Sequence, residues 1–469
     1  MELKNSFKYT TSKTTGNKVF YIALILGTIV GLLSVYTGFW SIIVAGGIFL
    51  LLISFLNPKF GVFILVFLLL GLTKSTAGLT ESEIAFMILF SCLVVGWFVK
   101  MLIKKTYIPT SSINLPLFLF LFVSILSIVK AYCNNVSIND WFAQWKVFLV
   151  FILFFVIISE FETREELKKL ISCFVLVAIL IGAKDVFFYF QQGVFALAGE
   201  FAGIDYASFL FIMATPFLFI VFIFNKNFLI RLLSVTSFLL IVLRISISLM
   251  RSYILAFLII LCIFFILSLN IKNKKISLRL LTLIVQLSIL ISVPFLFFPQ
   301  IAQLWQKVEY RFRILSTFYS SQNLSVHSRL VEIESAWNCA LQQPLLGRGF
   351  GFKYQYYRPN QTLYEVPYVH FTPLFFVLDI GFIGLSLVTW LIVRVLRLTW
   401  QAFKKENDLF WKLLIAALFS NFIGYIVISF FDTSALRIDS LFYFTLAMGI
   451  VTKIKIIQDI EIQNRARLT

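Results

Sequence analysis

Few side chains in this sequence can do chemistry, and they are unevenly placed. There are two histidines in 469 residues, His327 and His370. A histidine is the natural general base near neutral pH, because its charge changes there at little cost. Two imidazoles are too few to build a metal centre on, so neither a metal nor a cofactor is expected. His370 stands in Val-Pro-Tyr-Val-His-Phe-Thr-Pro, where a polar stretch passes into an apolar one. Read alone, the position suits an interfacial polar anchor more often than a base. Asp379 is carried further into the apolar run, where a carboxylate is costly unless it is paired.

Two arginines raise the same question. Arg251, in Ser-Leu-Met-Arg-Ser-Tyr, opens an apolar run, and Arg244 lies two helical turns before it. A guanidinium at membrane depth faces a wet cavity or an anionic partner, or else it snorkels to headgroups. Lys184 and Asp185 read as a neutralised local pair. Residues 328–342 read as an amphipathic helix with Leu330, Ile333, Trp337, Ala340 and Leu341 on one face, ended by Pro344. Arg329 lies off that stripe, with Glu332 one turn on as its expected partner. The plainer reading is a helix lying on a membrane surface. Gly347-Arg-Gly-Phe-Gly351 follows, without the spacing or the preceding strand of a dinucleotide loop. The five cysteines show no metal spacing, and a Cys133–Cys339 bridge is conceivable.

These residues are set in an apolar chain. It is 60% apolar and 13% charged, against roughly 25% charged for a soluble domain. No polar linker divides it. Soluble enzymes, fibrous proteins and disordered scaffolds are excluded, leaving an all-α polytopic membrane protein with about 12–14 transmembrane helices in one membrane domain, 1–469. The spans fall near 19–36, 41–56, 60–72, 84–103, 115–129, 147–158, 170–189, 206–224, 229–246, 250–269, 281–298, 369–393, 413–431 and 440–452. The net charge of +18 reads as a topology signal and not as nucleic-acid binding, because cytoplasmic loops collect Lys and Arg. Every second loop is basic, from Lys4, Lys8, Lys13 and Lys18 to Arg465 and Arg467. The opposite short loops hold only Lys74, Lys130, Lys146, Arg251 and Arg437. Both termini are therefore expected in the cytoplasm. One large loop, 299–368, containing short helices, is expected on the outer face, with His370 at its downstream edge. A transporter would place charges at the midplane within paired repeats. Here the polar weight lies in one loop, and no internal repeat is seen.

Three segments in order resemble the O-antigen ligase and polysaccharide polymerase superfamily of bacterial membrane proteins. They are Ser248-Leu-Met-Arg-Ser-Tyr253; Arg329 with Trp337 and then Pro344 to Gly351; and His370 followed by Gly381-Phe-Ile-Gly384. The resemblance spans roughly 245–385. The family commonly has Asn after this histidine, where Phe371 stands here, and Glu where Asp379 stands. The resemblance implies metal-independent glycosyl transfer at the outer face of the bacterial inner membrane, from undecaprenyl pyrophosphate to an acceptor hydroxyl. The acceptor is lipid A core for a ligase, or another lipid-linked repeat for a polymerase, with the ligase favoured. It implies His370, Arg251 and Arg329 as catalytic residues. Arg244, Trp337, Tyr354 and Asp379 would bind substrate, with Trp305, Tyr356 and Tyr357 as further candidates for stacking on sugars.

Overall fold

The computed structural model describes residues 39–70, 81–191, 208–248, 250–271, 279, 324–357 and 362–468. Within them the chain is a bundle of apolar helices. Lipid offers no partner to a backbone N–H or C=O, and a helix satisfies both inside one segment. In chain order the helices begin with α1 (Phe39–Leu56), α2 (Pro58–Leu68), α3 (Glu81–Lys104), α4 (Asn114–Cys133) and α5 (Ile138–Trp145). A 3₁₀ turn at Lys146–Phe151 leads into α6 (Ile152–Glu160), followed by α7 (Arg164–Gln191), α8 (Ser208–Phe224), α9 (Phe228–Ser248) and α10 (Arg251–Leu269). Within the polar segment lies α11 (Leu324–Leu341), and beyond it come α12 (Thr372–Lys405), α13 (Leu409–Ser429) and α14 (Ile438–Leu468). Every expected span on described residues is helical; 19–36 and 281–298 lie outside them. Nine segments among the described residues are long and apolar enough to cross a membrane, and Gly46–Leu56, Pro58–Leu68 and Leu210–Phe224 are shorter apolar helices. The chain is an all-α multi-pass membrane protein.

Local chemistry sets the helix starts. Asn57 accepts a hydrogen bond from the Phe60 N–H with Pro58 at the first position, Ser137 accepts from Asp140 N–H, and Asp408 from Trp411 N–H. α14 is the central post, with 83% of its apolar window buried against 33% for α3 and for α4, which form the rim. α14 packs on α6 and α12, α10 on α13, α8 on α9, and α4 on α12.

The polar segment is built differently from its sequence expectation in two ways. First, α11 buries Glu332, Ala336 and Ala340 against α12 and the strand that follows, while Leu330, Trp337 and Leu341 face outward. The apolar stripe is thus split, with Ala340 buried, Ile333 packed against the core and Leu330, Trp337 and Leu341 outward, and Leu345 and Leu346 continue the exposed row. An outward row of Leu and Trp suits a helix lying on lipid. Second, the segment contains a hairpin as well as a helix. Strand β1 (Tyr354–Tyr357) pairs antiparallel with β2 (Leu363–Val366), Tyr354 opposite Val366. Tyr354 and Tyr356 point inward and Gln355 and Tyr357 outward, the alternation of a half-buried strand.

α12 is broken at Gly381, whose φ is 68°. In an unbroken helix the Leu378 and Asp379 carbonyls would accept from the N–H groups of Phe382 and Ile383. The Pro344–Gly349 loop replaces both bonds. Arg348 N–H donates to Leu378 O (2.7 Å) and Gly349 N–H to Asp379 O (2.8 Å), while Phe382 N–H donates to Pro344 O (2.8 Å) and Ile383 N–H to Leu345 O (3.4 Å). Gly349, at φ 91°, packs so close to Ala131 that a Cβ would collide with its backbone. The glycines serve to pin this loop between α4 and α12.

Candidate active site

His370 is held by a residue from another element. Its Nδ1 lies 2.8 and 2.9 Å from the two carboxylate oxygens of Glu332, and its backbone N–H donates to Glu332 Oε1 at 2.9 Å. Glu332 is buried, 2% exposed. The Tyr354 hydroxyl donates to Glu332 Oε1 (3.3 Å) and to the Tyr368 carbonyl (3.0 Å). Burial, then the adjacent Glu332 carboxylate, pushes the Tyr354 hydroxyl above its ordinary pKa, so it stays a donor. The Tyr368 ring meets the imidazole edge-on at 5.7 Å. A carboxylate can only accept, so Nδ1 carries the proton and Nε2 keeps the basic lone pair.

The imidazole opens into a cavity of about 770 Å³. Among the described residues four cations line it: Lys146, Arg329, Lys353 and Arg437. Three of these face a carboxylate: Lys146 lies 3.4 Å from Glu83, Lys353 3.4 Å from Asp140, and Arg437 3.2 Å from Asp439. Arg329 differs. It donates to the Phe431 carbonyl at 3.2 Å and forms no ion pair with a described residue. The expected Arg329–Glu332 pair is not formed, because Glu332 turns inward to His370. Arg329 is the cation most available to an incoming anion.

The scaffold beneath is legible in α5. Trp141 and Trp145 stack at 4.9 Å and donate through their indole N–H groups to Ser127 (3.0 Å) and Ser124 (3.1 Å) of α4. That leaves Asp140, Gln144 and Lys146 to the cavity. Gln144 accepts from Gly351 N–H at 2.6 Å and donates to the Pro367 carbonyl, tying the glycine loop and the approach to His370 onto the bundle.

The remaining expected residues are placed elsewhere. Arg251 opens α10 directly after Met250, which is in the cavity wall. Arg244 is 1% exposed and pairs through Nε with Asp185 Oδ2 at 2.8 Å, beneath Phe211. Asp185 thus answers Arg244, and Arg244 is not among the residues that line the cavity. Trp337 is on the outward face, edge-on to Phe382 at 6.3 Å. Tyr354 is buried as a support for Glu332, and Tyr356 is buried beside it; neither offers a ring to a sugar. Trp305 lies outside the described residues. Asp379 is fully buried, and neither carboxylate oxygen has a hydrogen-bond partner. His327 is exposed on α11, away from the cavity wall. Cys133 and Cys339 are free thiols. No group of three or more His, Cys, Asp or Glu among the described residues is placed to hold a metal.

A buried carboxylate orienting a histidine, and an arginine without an ion pair among the described residues in the same cavity, make an acid–base site that admits an anion. Residues 236–389 match the O-antigen ligase family. The match takes in most of α9, then α10, α11, the hairpin and the first half of α12, and with them Arg244, Arg251, Arg329, Glu332 and His370. It supports the O-antigen ligase and polymerase superfamily and a membrane enzyme of that type. Gln144, Lys146 and Arg437, which the sequence reading did not single out as site residues, lie outside the matched stretch yet line the same cavity. No curated protein matches the chain.

Proposed function

We propose that this chain transfers a glycan from undecaprenyl pyrophosphate to an acceptor hydroxyl, at the outer face of the bacterial inner membrane. The observation that carries the proposal is the pairing of His370 with buried Glu332 in a cavity that Arg329 also lines. His370 Nε2 takes the acceptor's proton as its oxygen attacks the anomeric carbon. The new bond is O–C1; the bond that breaks joins C1 to the phosphate oxygen, and lipid pyrophosphate leaves with the electron pair. Glu332 steadies the imidazolium that forms. Arg329 meets the negative charge gathering on the leaving group as a planar fork of donors, so no metal ion is invoked; Arg251, next in the chain to the wall residue Met250, is the second candidate for that role. The cavity falls within the ~300–1,000 Å³ of small-molecule sites, sized for the two reacting ends and not for whole glycans.

The family match names a ligase, which favours lipid A core as the acceptor; a lipid-linked repeat as acceptor would make the same chemistry a polymerisation. The test is purified protein with lipid-linked glycan and each acceptor in turn. Transfer to lipid A core is expected. Chain growth on the lipid carrier alone would replace the ligase with a polymerase, and no transfer with either acceptor would remove the proposal.

A further inference from the structure

At the end of the bundle away from His370 lies a second cavity, of about 1010 Å³. α3 measures the separation. Glu83 stands in the His370 cavity, whereas Lys100 and Lys104 stand in this one. The roughly 20 helical residues between cover about 30 Å at 1.5 Å each, the thickness of a bilayer's hydrocarbon core. The second cavity belongs to the opposite leaflet.

Its lining combines three features. Leu56 and Phe60, on α1 and α2, are half exposed beside it, so it opens on the side that lipid covers. Tyr107 is 92% exposed at its edge, next to Thr106, and a tyrosine so placed marks the headgroup level. The charges do not cancel. Lys59 pairs with Glu166 at 2.7 Å and Lys100 with Glu160 at 2.5 Å. Among the described residues the lining itself holds three lysines, Lys59, Lys100 and Lys104, against two glutamates, Glu160 and Glu162, and Lys104 is left without an ion pair to any of them.

We propose that this cavity holds the headgroup of an anionic glycerophospholipid, its phosphodiester on Lys104 and Thr106 and an acyl chain over Leu56 and Phe60. One uncompensated lysine matches one net negative charge, and the apolar rim selects a lipid over a soluble phosphate. The inference stands independently of the reaction at His370.

The test is native mass spectrometry of delipidated protein offered equal amounts of phosphatidylglycerol and phosphatidylcholine. Retention of phosphatidylglycerol is expected at about fivefold excess, the effect of one lysine beside an anionic headgroup. Lys104→Ala, at an exposed helix end, should bring the ratio close to one. Arg467→Ala, which removes the same charge from the exposed end of α14, should leave it at fivefold. Millimolar glycerol phosphate should not displace the lipid. Equal retention of the two lipids, an unchanged ratio in Lys104→Ala, or displacement by glycerol phosphate would each overturn the proposal.

Discussion

Glu332 and His370, 38 residues apart, meet at 2.8 Å, and the same carboxylate also takes the histidine's backbone N–H. The contact fixes both the tautomer and the position of the ring. Glu332→Gln should therefore lower turnover by about 10²-fold or more while the donor's KM changes little, since a general base contributes roughly 10²–10⁴. His370→Ala should lose the same order, and the double variant should cost no more than the worse single. Additive losses in that cycle would show that Glu332 does not act through His370. His327→Ala, on the exposed side of α11, should be close to neutral.

Arg329→Ala should abolish transfer, and Arg329→Lys should recover little, because an ammonium cannot grip two phosphate oxygens as a planar fork does. Arg251→Ala should also be inactive with the protein intact by thermal melting. EDTA should leave the rate unchanged. Wild-type turnover in Arg329→Lys would reduce the residue to general electrostatics, and loss of activity in EDTA would add a metal to the mechanism.

Arg244 and Asp185 should behave as a structural pair. Removing either side chain leaves a buried charge without its main partner, a loss of about 3–5 kcal/mol, seen as a large fall in melting temperature. A paired replacement, Arg244→Met with Asp185→Leu, should restore much of that stability. An inactive but fully stable Arg244→Ala would instead return this arginine to the substrate.

Gly381→Ala and Gly349→Ala should each destabilise by about 1–3 kcal/mol, since both sit at positive φ and a Cβ would strike backbone. Melting temperature in detergent is the measurement, and a neutral substitution at either would mean the loop is not pinned there.

Reporter fusions after Lys105, Lys169 and Lys405 should read as cytoplasmic, and fusions within 299–368 as external. A cytoplasmic reading at the loop would put His370 on the wrong side of the membrane for a lipid-linked glycan already translocated.

The helices were legible because each needs only a run of apolar residues. The hairpin was not, since Tyr354-Gln-Tyr-Tyr357 and Leu363-Tyr-Glu-Val366 are short and sit among polar residues; the inward–outward alternation of Tyr354 and Tyr356 was the available signal. The Glu332–His370 contact was hidden because helical spacing offers Arg329 as the nearer partner, and only the tertiary fold turns Glu332 inward. Lys146 and Arg437 were visible as exceptions to the charge alternation. Both line the cavity, and Arg251, another exception, follows its wall residue Met250. Two of the five exceptional basic residues thus line the cavity, beside His370 and Arg329, which the motifs had already picked out.

The outward row on α11, from Leu330 through Trp337 to Leu341, has a consequence for how a substrate finds its base. A helix floating on that row keeps Glu332, on its inner face, at a constant depth relative to the headgroups, and His370 with it. In the proposed reaction, a donor tethered by a polyprenyl tail carries its pyrophosphate at a constant depth too. Encounter then becomes a search in a plane, along one sheet of lipid, with the vertical coordinate already matched before the two molecules meet.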